Sequence, residues 1–145
     1  MKPFGLVVPV LLLLAACASR AEPSRQVDTV GIAPALVVER FLQAANRQDL
    51  ETMARLWGNS EGLVIDRDPR SEVEKRLYAT ALILRHDDYE IQGERIIPGR
   101  PDALQLIVRM HIDGRQVPVA YTMVRSKNGA WLVESVDLEA ITAGR

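Results

Sequence analysis

Three groups of residues carry side chains able to do chemistry. His86-Asp87-Asp88 sets an imidazole beside two carboxylates, the residue types of an acid–base pair or a metal site. Asp66 and Asp68 flank Arg67, and Tyr78, Tyr89 and Tyr121 bring hydroxyls of the kind that hold an oxyanion in an apolar cavity. His111 and a single cysteine, Cys17, stand apart from these. The spacing assembles none of them into a working set. Two histidines and one cysteine give no HExxH and no paired-cysteine pattern, so no metal and no cofactor are expected. A Gly-rich phosphate loop and a GxSxG nucleophile are also absent. Neighbouring residues of a strand point to opposite faces, so residues 86–88 diverge in a strand and meet solvent in a loop. Asp66 and Asp68 read as a helix cap and a solvated turn.

The elements that must position these groups fall into two halves. Pro34 opens a helix whose apolar stripe is Leu36, Val37, Phe41, Ala44 and Ala45. Asp49 caps a second, short helix with Leu50, Met53, Ala54, Leu56 and Trp57. After a turn at residues 58–62, Asp68 and Pro69 signal a third helix with a broad face of Val73, Leu77, Tyr78, Ala81, Leu82 and Leu84. Beyond His86 the apolar period changes to two. Tyr89, Ile91 and Ile97 share one side of a strand in which Gly93 marks a bulge. Leu104, Leu106, Val108, Met110 and Ile112 alternate in the next, Asp113-Gly114 turns the chain, and Val117, Val119, Tyr121 and Met123 line the return. Pro118 suits an edge position. Lys127-Asn128-Gly129 makes another hairpin turn into a strand from Trp131 to Val136, apolar on both sides as expected of a strand that lies centrally beneath helices or contributes to an association surface, followed by a polar tail. The fold class is therefore α+β, with three helices on one side of a curved, mostly antiparallel sheet of about four strands.

The register divides the sheet residues by face. Inward positions could line an apolar pocket of Phe41, Tyr78, Tyr89, Met110, Tyr121 and Trp131, or fill a core; Leu104, Leu106, Val108 and Met110 bring no carboxylate to it. Outward positions, candidates for an interface, are Ile107, His111, Ala120, Thr122, Val124, Leu132, Glu134 and Val136. A net charge of −1 and only two Phe and two Trp give no basic face and no base-stacking platform, so nucleic acid is not an expected partner.

The first seventeen residues follow a different logic. Lys2 precedes an eight-residue apolar core, Val7 to Leu14, interrupted by Pro9 and closed by Ala15-Ala16 before Cys17. This is well short of the roughly 20 residues of a membrane-spanning helix. Leu14-Ala15-Ala16-Cys17 resembles the lipobox of bacterial lipoproteins. That resemblance implies a signal peptide at 1–16, cleavage before Cys17, and two or more acyl chains on Cys17, enough for stable anchoring. Ala18 and Ser19, rather than Asp, follow the cysteine; in Gram-negative lipoproteins this implies sorting to the periplasmic side of the outer membrane. Residues 18–33 read as a flexible tether of at most about 50 Å, or in part as an extension docking through Val27, Val30 and Ile32. The remaining 34–145 form one domain within a mature chain of 145 − 16 = 129 residues. With one cysteine, no internal disulfide is available.

The helix Val37-Val38-Glu39-Arg40-Phe41-Leu42-Gln43-Ala44-Ala45, its continuation Asn46-Arg47-Gln48-Asp49-Leu50, and the closing strand Trp131-Leu132-Val133-Glu134-Ser135-Val136 resemble the nuclear-transport-factor-2-like superfamily, also called SnoaL-like or cystatin-like cone folds. The resemblance spans about residues 34 to 140 and implies a cone between helices and sheet. Enzymes of that superfamily place acid or base groups in the cone, which puts Asp66, Tyr78, His86, Asp87, Asp88, Tyr89 and Tyr121 under consideration. Without an inward strand carboxylate, an isomerase or dehydratase is disfavoured. The expected function is a non-enzymatic, lipid-anchored envelope module that binds a protein or forms a homodimer through its sheet. The alternative is a carrier or sensor of a small apolar ligand.

Overall fold

The computed structural model describes residues 33–144; the leader, Cys17 and the Val27, Val30 and Ile32 positions lie outside the described residues. Helix α1 (Pro34–Arg47) begins with its proline in the first turn, where the missing N–H is no loss. It buries Val37, Phe41, Ala44 and Ala45 as expected, with Val38 and Leu42 beside them, while Leu36 is exposed. The helix ends at Gln48, which takes a left-handed conformation (φ 53°); the Asp49 N–H then closes on the Ala44 carbonyl at 2.9 Å. Helix α2 (Leu50–Leu56) is capped as expected: Asp49 Oδ1 accepts from the Thr52 N–H at 3.0 Å and Oδ2 from its hydroxyl at 2.7 Å. These two bonds lower the Asp49 pKa below its ordinary value.

Two-residue strands β1 (Gly58–Asn59) and β2 (Gly62–Leu63) form a small hairpin, and Val64–Asp66 adds one 3-10 turn. A side chain at Gly58 would collide with the Gly62 carbonyl and Leu132, so the hairpin lies directly on the sheet. Helix α3 (Arg70–Ile83) starts later than the sequence suggests: Pro69 occupies the cap position, and Asp68 pairs with Arg76 instead of capping. Its buried stripe is Val73, Leu77, Ala81 and, just beyond the helix, Leu84. Tyr78 and Leu82 point to solvent, 49% and 43% exposed, because α3 packs on α1, α2 and α4 along one narrow face.

The main sheet is antiparallel in the order β3 (Asp88–Ile96), β4 (Ala103–Ile112), β5 (Arg115–Arg125), β6 (Trp131–Val136). It is open, with β3 and β6 as its edges, so β6 is not central. Pro118 sits where β5 pairs with β4 but lies beyond the β6 ladder, which ends at Tyr121, so its absent N–H costs no ladder bond. Asp113 and Gly114 turn the β4–β5 hairpin with φ of 50° and 73°. The C-terminal residues are not a polar tail: Asp137 caps helix α4 (Leu138–Thr142), whose Ile141 is fully buried.

Two bulges decide the faces. In β3 the register shifts between Ile91 and Gly93, which carries Ile97 to the face opposite Tyr89 and Ile91. In β6 the shift beside Glu134 puts Val136 opposite Tyr121, on the inner face with Val133. The helices cover that inner face, and Leu106, Val108, Met110, Val119, Tyr121 and Met123 are sealed between the layers.

Candidate functional site

The inner face is built to be filled. Tyr121 is wholly buried, and its hydroxyl donates to the Met110 sulfur at 3.3 Å. Burial with no charged partner pushes its pKa well above the ordinary phenol value. Phe41 and Met110 are equally inaccessible, Tyr89 and Trp131 are half-buried, and Tyr78 lies outside on α3. The six residues expected to line one pocket are therefore not gathered around one cavity. A hollow of about 170 Å³ remains between α1, α3 and β6, and of those six only Phe41 lines it, with Trp57, Leu77, Val133, Val136 and Leu138 among its neighbours.

The polar candidates are dispersed. His86 is a structural clamp: its backbone N–H donates to Asn46 Oδ1 at 3.1 Å, and Asn46 Nδ2 donates to the His86 carbonyl at 3.0 Å. Its ring Nδ1 lies 2.8 Å from the Leu84 carbonyl, so Nδ1 carries the proton and Nε2, 3.3 Å from Asn46 Nδ2, accepts. Asp87 and Asp88 follow on the exposed chain, the Asp87 N–H held by the His111 carbonyl at 2.8 Å. Asp66 joins neither Tyr78 nor Tyr121. It lines an open cleft of about 370 Å³ between the β1–β2 hairpin and the β5–β6 turn, with Arg55, Glu61, Lys127 and Asn128. No group of three or more His, Cys, Asp or Glu among the described residues is placed to hold a metal.

The outer face divides in two. At one end Val124 and Leu132, expected at an interface, are instead buried with Ala103 beneath Leu63 and Ile97. Glu134 is gripped there by Arg100 through two bonds of 2.7 and 2.9 Å, which raise the Arg100 pKa, and its carbonyl accepts from the Trp57 indole at 3.4 Å. Val136, as noted, belongs to the other face. At the other end, Ile107, His111, Ala120 and Thr122 do share the outward side and are half-buried, with exposed Gln116 and Pro118 beside them on β5. Arg109 crosses this region to Glu90 at 3.2 Å. Four of the eight residues expected to face outward thus share one side of the sheet. The bulge at Glu134 and the hairpin over Leu132 are what sequence alternation missed; the Gly58 and Gly62 pair was the available sign of a close backbone approach.

No protein-family model and no curated protein sequence matches the chain. Among solved structures it is similar to an NTF-2 like protein of unknown function from Silicibacter pomeroyi DSS-3, at 15% identity, a TM-score of 0.45, and coverage of 70% of this chain and 87% of that one. A likeness at that level carries no argument, and the α+β architecture stands on its own elements. No helix among the described residues is long and apolar enough to cross a membrane.

Proposed function

We propose that this protein is a non-enzymatic envelope module of NTF2-like type, anchored by lipid on Cys17, that works by self-association through its sheet. The observation that carries the binding role is the contrast between a filled interior and a partly exposed outer surface around Ile107, Ala120 and Thr122. A hollow of about 170 Å³ is well under the roughly 300 Å³ at which small-molecule pockets begin. The larger cleft is open and sets the charged Arg55, Glu61, Asp66 and Lys127 beside Leu63, Ala130 and Leu132, unlike an enclosed site for an apolar ligand. An acid–base mechanism has no support in a site where the buried hydroxyl meets only a thioether and the carboxylates lie at the surface.

The anchor reading rests on the Lys2, apolar core and Leu14-Ala15-Ala16-Cys17 pattern. Cys17→Ala is expected to abolish fatty-acid labelling and to release the protein from the membrane fraction; retained labelling would overturn it. For the sheet surface, Ile107→Asp is expected to weaken self-association in sedimentation experiments without loss of the folded circular-dichroism signal. An associated state indifferent to that change would remove Ile107 from the contact, and association only with a different envelope protein would replace the second copy by that partner.

A further inference from the structure

Strand β3 is the outermost strand, and β4 is its only substantial neighbour among the described residues. Seven of its nine residues are exposed, and Ile96 is 88% exposed, an unusual position for isoleucine in a strand. Its far side presents a row of N–H and C=O groups with no strand beside them among the described residues, a template for pairing. Charged residues and a bulge ordinarily guard such an edge against indiscriminate partners. Here the same features are arranged symmetrically about the strand's centre.

The bulge makes the arrangement self-complementary. Before it, Tyr89 and Ile91 face inward and Glu90 outward; after it, Glu94 and Ile96 face inward and Arg95 outward, as their partners on β4 show. Without the bulge, Glu90 and Arg95, five residues apart, would lie on opposite faces. With it, they share a face. When β3 of a second copy runs antiparallel alongside, with the two-fold axis between Gln92 and Gly93, Glu90 stands opposite Arg95 of the second copy. Tyr89 then stands opposite Ile96 of the second copy, and the symmetry repeats both pairs. Ile91 meets Glu94 of the second copy, whose carboxylate can extend past the ladder into water. The Glu90–Arg95, Tyr89–Ile96 and Ile91–Glu94 pairs each lie on a common side of the joined sheet.

We propose that the free edge of β3 pairs with β3 of a second copy of this chain, joining two four-stranded sheets through opposite-charge Glu90–Arg95 pairs and Tyr89–Ile96 contacts. Glu90 already meets Arg109 of its own chain at 3.2 Å, a carboxylate that Arg95 of the second copy would share, while no ion pair among the described residues engages Arg95. The inference rests on the self-association reading above and adds an edge contact to the outer-face contact at Ile107. One strand pair is a small interface, so a weak dimer is expected, strengthened where anchoring confines copies to one membrane.

The test is charge complementation, read by sedimentation velocity of the full chain in non-ionic detergent. Glu90→Arg and Arg95→Glu each convert both cross-strand pairs to like charges and should each weaken self-association about tenfold or more. Mixed one to one, the two variants restore both pairs, so the mixture should associate as the wild type does. Both sites are exposed, and circular dichroism checks that each variant is folded. A wild-type chain that stays monomeric up to millimolar concentration overturns the proposal, as does a mixture no tighter than either variant alone. Association that resists both charge reversals but is lost in Ile107→Asp overturns edge pairing while leaving self-association through the outer face standing.

Discussion

The two faces of the main sheet are made from the same strands, and β4 shows how differently they are used. Leu106, Val108, Met110 and Ile112 are at most 1% exposed, whereas Ile107, Arg109 and His111, one step along the same chain, are half-buried. Alternation alone creates both sets. What separates them is cover: α1 and α4 and the side chains they carry close the inner face, while the outer face is closed only where Leu63 and Ile97 sit on Val124 and Leu132. The inner face supplies cohesion, and part of the outer face is left without cover among the described residues.

The sharpest way to break that comparison is to empty the inner face. Phe41→Ala should cost about 3–5 kcal/mol, since a fully buried ring leaves both its transfer energy and a cavity. A urea midpoint almost unchanged by it would show that the layers are not tightly filled. Leu132→Ala tests the covered end of the outer face and should cost about 2 kcal/mol by the same denaturation, the low end for a buried leucine because it sits in a small satellite cluster. If it costs nothing, the hairpin is not a cover and the whole outer face is open.

Smaller effects sharpen the contrast. Tyr121→Phe should shift stability by less than about 1 kcal/mol, because the hydroxyl it deletes donates only to a sulfur, a weak acceptor. Ile107→Ala, at the open end, should change the midpoint by no more than about 0.5 kcal/mol while still weakening association in sedimentation. The Asp49 cap gives the mildest signature, one of pH. Its folded pKa lies below the ordinary 3.8, so the cap's contribution is fully present above that value and fades as pH falls through the lower folded value. Asp49→Asn keeps a capping oxygen without that ionisation, so its melting temperature should fall less steeply than the wild type's below about pH 4, as thermal scans from pH 2 to 7 would show.

Much of this molecule is legible in local pattern. The α1 start at Pro34, the Asp49 cap, the Asp113-Gly114 turn and the inward row Leu106 to Ile112 each depend on a few neighbouring residues, and each appears where those residues put it. The misplaced residues have a different cause. A broad apolar face on α3 would place Tyr78 inward, but α3 buries only the narrow line Val73, Leu77 and Ala81. Unbroken alternation places Val136 outward, but the strand bulges at Glu134, where Arg100 and Trp57 also bind. In the candidate surface, Ile107, His111, Ala120 and Thr122 were found by period alone, whereas Val124 and Leu132 required knowing that residues 62–63 fold back over them.

The amino-acid sequence by itself determined the types of α1 to α3 and β3 to β6, the Asp113-Gly114 turn, and which residues of β4 and β5 share a side, because each is set by contacts within a few residues or by a strict period of two; α4 and the β1–β2 hairpin it did not. Only the tertiary structure decided which strands became edges, where the period slipped, and which part of the outer face was left uncovered. Those outcomes depend on segments far apart in the chain competing for the same surface. The β3 bulge joins the two levels: Gly93 hinted at it locally, but the shared face of Glu90 and Arg95 exists only once β3 is laid against β4.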